Sequence, residues 1–271
     1  MAKVLVVTSG KGGVGKTTST AALGAALARE GERVVVIDFD VGLRNLDLVM
    51  GAERRVVYDL IHVVQGTAKL SQALIRDKRI DTLFLLAASQ TRDKDSLSDD
   101  GVERVIRELR PSFDWVICDS PAGIERGASL AMRHADFALV IANPEVSSVR
   151  DSDRIIGLLD STTDKAKHGE PMDKYLLLTR YDPIRAGRGE MLCVDDVLDI
   201  LCIPLLGIIP ESKEVLNASN LGTPVTLNNP TSAPARAYND AARRLKGELV
   251  PLVVPSDKNT LLNKLFGRRA A

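Results

Sequence analysis

Val4-Leu5-Val6-Val7-Thr8-Ser9-Gly10-Lys11-Gly12-Gly13-Val14-Gly15-Lys16-Thr17-Thr18 decides the fold. The opening run is apolar and β-branched, as a buried strand should be. The turn after it places Gly10, Gly15, Lys16 and Thr17 at the fixed positions of the phosphate-loop pattern G-x-x-x-x-G-K-[ST]. Glycines let a backbone close around a phosphate without a Cβ in the way. Successive N–H groups and the start of the next helix then point at the anion. In this pattern Lys16 reaches the β- and γ-phosphates of a nucleotide, and the Thr17 hydroxyl sits on Mg²⁺. The candidate cradle is the whole loop, with Gly12, Gly13, Val14 and Thr18 between and beside the fixed positions. Residues 19–29 are rich in Ala and Leu, good helix formers, so strand, loop and helix follow in the required order.

The same alternation continues to both sides of the loop. Apolar runs predict strands over 4–8, 34–38, 82–87, 115–119, 138–142, 176–178 and 206–209, and helical patterns fall at 17–30, 102–109, 147–160, 194–201 and 233–248. Strands alternating with helices imply an α/β fold: a doubly wound, mainly parallel sheet of seven to eight strands. Ligands of such sheets bind at the carboxyl ends of the strands. The phosphate loop, Asp38, Asp119, Asn143 and Arg180 all follow strands there.

Composition agrees and excludes. The chain has 271 residues, 45% hydrophobic but only 4% aromatic, which suits parallel strands covered by helices. Lys plus Arg and Asp plus Glu number 36 each, so no global charge favours a nucleic-acid partner. Cys118, Cys193 and Cys202 form no ligand-like pair, and so small a set without a framework is expected of a reducing cytosol. His62, His134 and His168 are scattered and suggest no covalent chemistry. The chain shows no leader-like start, and no apolar stretch approaches the ~18 residues of a spanning helix.

Val34-Val35-Val36-Ile37 ends in Asp38-Phe39-Asp40, and Val116-Ile117-Cys118 ends in Asp119. A strand ending in a carboxylate supplies what the second nucleotide motif needs, a rigid acid near Mg²⁺. Asp38 and Asp40 are two residues apart and share a face on an extended chain. A helix cap or turn role is the alternative for each.

The last stretch differs in character. From Asp257 onward four basic residues (Lys258, Lys264, Arg268, Arg269) stand against one acid, and Leu261, Leu262, Leu265 and Phe266 fall in one arc at about 100° per residue. A basic amphipathic helix reads as an element that lies on an anionic membrane surface. The expected organisation is a nucleotide-binding domain over 1–254 and a membrane-targeting segment over 255–271, with a helix docked on its own domain as the alternative.

Lys11, directly after Gly10, gives Lys11-Gly12-Gly13-x-Gly15-Lys16-Thr17. That loop resembles the deviant phosphate-loop ATPases of the ParA/MinD family. Residues 38–47, 53–59, 88–95, 118–123, 143–151 and 178–181 are similar to the cell-division branch of that family, and the resemblance covers nearly the whole chain. It implies ATP hydrolysis with ATP and Mg²⁺ bound in an ATP-dependent homodimer. Lys11 would reach the partner copy's phosphates. Lys16, Asp38 and Asp40 would join it in catalysis, with Asp40 orienting the attacking water. Thr17 and Asp119 would hold the metal. Glu145 would touch the partner copy's ribose, and Arg180, Pro210 and Glu211 would line the adenine pocket. Arg44, Leu48 and Asp151 would meet the division inhibitor MinC and the topological regulator MinE. Leu261, Leu262, Lys264, Leu265 and Phe266 would meet the inner membrane at its cytoplasmic face. A DNA partition ATPase and a flagellar-number regulator of the same family remain the alternatives, the former disfavoured by the neutral charge.

Overall fold

The computed structural model describes residues 1–90 and 96–255. Part of the resembling stretch 88–95 lies outside that range, as do Leu261, Leu262, Lys264, Leu265 and Phe266. The strands are β1 (Lys3–Thr8), β2 (Val34–Asp38), β3 (Ile75–Arg76), β4 (Leu83–Leu86), β5 (Trp115–Asp119), β6 (Phe137–Ala142), β7 (Asp173–Tyr181) and β8 (Leu205–Pro210). The helices are α1 (Lys16–Arg29), α2 (Leu46–Val49), α3 (Leu60–Val64), α4 (Leu70–Ala73), α5 (Asp99–Leu109), α6 (Arg126–Arg133), α7 (Val146–Thr162), α8 (Asp164–Lys167), α9 (Pro183–Gly187), α10 (Val194–Leu201), α11 (Lys213–Asn220), α12 (Val225–Asn228) and α13 (Ala233–Leu245).

The eight strands form one sheet in the order β3-β4-β2-β5-β1-β6-β7-β8. Every pairing is parallel except β3 with β4. β1 and its phosphate loop therefore lie centrally, flanked by β5 and β6. The seven expected strands are all present. The eighth, β3, is only two residues long, held by antiparallel pairing to β4 rather than by any apolar run of its own.

Successive residues of each strand are buried on opposite faces of the sheet, as the pleat requires. Val4, Val6, Val35 and Ile37 enter one core with α3, α5, α6, α7 and α10. Leu5, Val7, Val34 and Val36 enter the other, with α1, α12 and α13. Both faces are covered, so strand sequences read as continuous apolar runs. Gly24 lets α1 approach β2 closely: a Cβ there would stand 2.8 Å from Val36 Cγ1. The register of β2 on β5 sets Asp38 beside Asp119 at the carboxyl end of the sheet.

Candidate nucleotide site

The phosphate loop leads into a helix start that no side chain caps. Helix α1 starts after Gly15, which takes a left-handed φ of 99°. It has no capping side chain and no acid in its first turn, so its leading N–H groups are left for a ligand. No atom lies within 4 Å of where a Cβ would sit on Gly12, Gly13 or Gly15. Gly10 serves differently: a Cβ on it would stand 2.2 Å from the Asp151 carbonyl oxygen, so the loop rests directly on the α7 backbone.

Lys16 is buried and donates to Ser9 Oγ at 2.8 Å, while Ser9 Oγ donates to the Lys11 carbonyl at 2.7 Å. Burial lowers the Lys16 pKa, opposed by the charges of Asp119 and Asp40. Asp119 is buried, with its pKa raised by burial, against the Thr17 hydroxyl, the Lys16 charge and the Thr20 hydroxyl, which favour the ionised form. Thr20 Oγ1 donates to Asp119 Oδ1 at 3.1 Å. Asp38 is raised by burial and by the adjacent Asp119 charge. Its carboxylate accepts from the backbone N–H of Asp40 at 2.9 Å and of Leu46 at 3.1 Å. Asp38 therefore holds the loop between β2 and α2 in place, a role its position after a strand did not reveal.

Two cavities meet around this loop. One, about 690 Å³, is lined by Gly12, Gly13, Gly15, Lys16, Thr17, Thr18, Asp40, Leu48 and Arg180 among others. The second, about 380 Å³, takes Val14, Gly15, Thr18, Arg180, Pro210 and Glu211, with Tyr238 and part of α11. Gly15, Thr18 and Arg180 border both, so the two form one cleft with a phosphate end and an outer end. Arg180 reaches that border because β7 bulges there, giving it a left-handed φ of 56°. Tyr238, fully buried, hydrogen-bonds Ser19 across 3.0 Å and joins α13 to α1 below the outer end. The buried Thr179 hydroxyl lies 2.7 Å from the Val14 carbonyl and 2.8 Å from Asn143 Oδ1, so β7 and the loop after β6 support the cradle from beneath.

Several expected residues lie off the cleft wall. Lys11 Nζ lies 3.1 Å from both Glu145 Oε2 and Ser147 Oγ, so Lys11 and Glu145 are paired with each other within one chain. Arg44 folds back onto the buried Asp47 at 2.7 Å, with a left-handed φ of 46°, whereas Leu48 is half exposed. Asp151 lies behind Gly10. Ser9, Thr20, Thr179 and Tyr238 are absent from the motif and were not legible as site residues.

The donor set fits a Mg²⁺-triphosphate. Among the described residues no group of three or more His, Cys, Asp or Glu could hold a metal alone. Mg²⁺ commonly takes only one or two protein oxygens, with phosphates and waters completing its shell. Thr17 and Asp119 would supply such a pair, and the open, uncapped loop would supply the anion site.

The sequence matches the CobQ/CobB/MinD/ParA nucleotide binding domain over residues 5–225. It is 57% identical over 271 residues to the septum site-determining protein MinD of Neisseria meningitidis, covering 98% of this chain and 100% of that one. The chain belongs to the MinD family. Among solved structures, that of the MinC:MinD cell division protein complex from Aquifex aeolicus superposes with a TM-score of 0.84 at 42% identity, covering 93% of this chain and 99% of that one. A Pyrococcus horikoshii MinD complexed with Mg-ADP superposes at 0.80 and 30% identity, covering 90% and 96%. The MinD family fold thus accounts for the parallel sheet and for the position of the loop at its carboxyl edge. Among the described residues no helix is long and apolar enough to cross a membrane.

Proposed function

We propose that this chain takes part in placing the division septum, as the MinD relatives' name implies, and that it does so as an ATPase that cycles on and off the inner membrane. The observation that carries the reading is the uncapped glycine loop, with Lys16 desolvated beneath it and two buried carboxylates alongside. It is supported by near-full-length identity to septum site-determining proteins.

In this reading ATP occupies the cleft with its phosphates over residues 10–18 and its base at the outer end, beside Arg180, Pro210 and Glu211. Lys16 binds the β- and γ-phosphates, and the N–H groups of the loop and α1 bind the remaining oxygens. Thr17 and Asp119 would hold Mg²⁺, which would supply positive charge beside the phosphates. Asp40, on the cleft wall, orients the attacking water, and Asp38 fixes the loop that carries Asp40.

Lys11 and Glu145 act across an ATP-dependent homodimer. Their exposed pair is worth only about 0–1 kcal/mol, so little opposes Lys11 turning to a partner copy's phosphates. The 255–271 segment binds anionic lipid weakly in one copy. Two copies on a dimer make the second contact intramolecular, with avidity raised about 10²–10⁴-fold. Leu48, Arg44 and Asp151 meet MinC, with which the Aquifex relative forms a complex, and MinE, which stimulates hydrolysis and release.

The test is phosphate release from ATP by the full chain on vesicles, compared with Lys16→Ala. The reading predicts turnover in the parent and loss of both nucleotide binding and turnover in the variant. Undiminished turnover in Lys16→Ala contradicts it.

A further inference from the structure

Helix α11 forms the outer-end wall of the cleft, yet it is thinly anchored: of its eight residues only Ala218 is buried. Lys213, Leu216 and Ser219 line the outer end, and Ser219 and Asn220 reach the phosphate end. There they face Leu48 and Val49 of α2. The ends of these two helices meet backbone to backbone. Gly51 and Gly222 both have left-handed φ, 63° and 61°, and a Cβ on Gly222 would stand 2.8 Å from Gly51 Cα and 3.1 Å from the Leu48 carbonyl.

One side chain bolts that contact to the edge of the sheet. Arg79 Nη2 donates to the Met50 carbonyl at 2.7 Å, and Arg79 Nη1 donates to the Gly222 carbonyl at 3.0 Å and to Thr223 Oγ1 at 2.9 Å. The guanidinium is itself aimed by Asp77, buried, through Nη2 at 2.6 Å and Nε at 3.1 Å. A planar fork with fixed donors serves this arrangement, and a lysine nitrogen does not. The far end of α2 is tied to Asp38 through the Leu46 N–H. The phosphate-end loop, α2 and α11 thus form one connected wall around the cleft, with Arg79 joining α2 to α11 behind it.

We propose that Arg79, which touches no part of the cleft, is a positioning residue: it locks α11 to α2 so that the cleft discriminates a whole nucleotide from a bare triphosphate. The inference rests on the nucleotide reading above. Without the bolt, α11 must be ordered by the ligand's base end, which weakens nucleotide binding and leaves the phosphate contacts of the loop intact.

The experiment compares the full-length parent with three variants: Arg79→Met combined with Asp77→Asn, so that no buried carboxylate is left alone, Arg79→Lys, and Gly222→Ala. Each is assayed for the KM and kcat of Mg-ATP hydrolysis and for competitive inhibition by inorganic triphosphate, with thermal melting to select folded variants. The expected result is a KM for ATP raised about 3- to 10-fold, the scale of ordering one or two flexible side chains. kcat stays within about twofold and the inhibition constant of triphosphate is unchanged, because neither Lys16 nor Asp40 is disturbed. Arg79→Lys gives the same loss, since it keeps the charge but not the fork. If folded variants keep the parent's preference for ATP over triphosphate, or lose affinity for both equally, the positioning role is overturned. A parent chain that binds neither ligand overturns the nucleotide reading and the clamp together, whereas variants that fail alone overturn only the clamp.

Discussion

Gly10→Ala and Gly12→Ala differ by two positions in one loop and should behave oppositely. A Cβ on Gly10 would lie 2.2 Å from the Asp151 carbonyl oxygen, 2.3 Å from its carbon and 2.5 Å from its Cβ, where ordinary contacts begin at 3.4 Å. The clash is with backbone, so either the loop or α7 must move by roughly 1 Å, a displacement that overpacked cores absorb at a cost of about 1–3 kcal/mol. For a chain of this size that is a fall in Tm of about 2–12 °C. A misplacement of that size at a phosphate site lowers turnover about 10²-fold. Gly12, by contrast, has nothing within 4 Å of its Cβ position. Its alanine variant should melt within about 0.5 kcal/mol of the parent, as surface substitutions do. Thermal melting of the nucleotide-free chains, followed by titration with ATP, reads both effects. Gly10→Ala with the parent's Tm and ATP affinity refutes the reasoning, as does a Gly12→Ala chain that melts as low as Gly10→Ala.

Two further outcomes follow from the carboxylates. Asp38 and Asp119 have pKa values raised by burial, so the native chain holds protons that the unfolded chain has already released. With more protons bound in the native state, the unfolding free energy falls as pH rises from the ordinary carboxylate value, about 4, towards the raised values. Denaturant unfolding at a series of pH values in the absence of nucleotide should show this slope, and Asp38→Asn should flatten it; stability that instead rises across that window contradicts the assignment. Asp40→Ala should retain ATP binding but lose about 10²-fold or more in turnover, as removal of a water-orienting group does, which single-turnover phosphate release checks against equilibrium binding. Parent-like turnover in Asp40→Ala removes it from the chemistry.

The fold was legible where physics is local. Continuous apolar runs, in β1, β2 and β5 rich in Val or Ile and ending near Gly or Asp, gave the parallel strands, and the run of Ala and Leu after Thr17 gave α1. β3 was not, because two residues have no period and its existence depends on β4. α6 and α11 were missed for different reasons: α11 buries a single side chain, so no apolar stripe marks it, whereas the buried face of α6 is largely Gly127, Ala128 and Ala131, which give little apolar contrast. Ser212 accepting from the Glu214 N–H was a usable start signal for α11. At the site, the motif announced Lys16, Thr17, Asp38 and Asp119, but not how Asp38 spends its oxygens. Thr179 and Tyr238 reach the cradle from β7 and α13, and only folding brings them there. Arg79 was silent for the same reason: its three backbone and hydroxyl partners come from residues 50, 222 and 223.

The most direct measurement is co-sedimentation of the full chain, and of a chain ending at residue 255, with anionic vesicles in Mg-ATP and in Mg-ADP. The account predicts that the full chain pellets with vesicles in ATP, stays in solution in ADP, and that the shortened chain stays in solution with either. Equal pelleting in both nucleotides, or pelleting of the shortened chain, contradicts it.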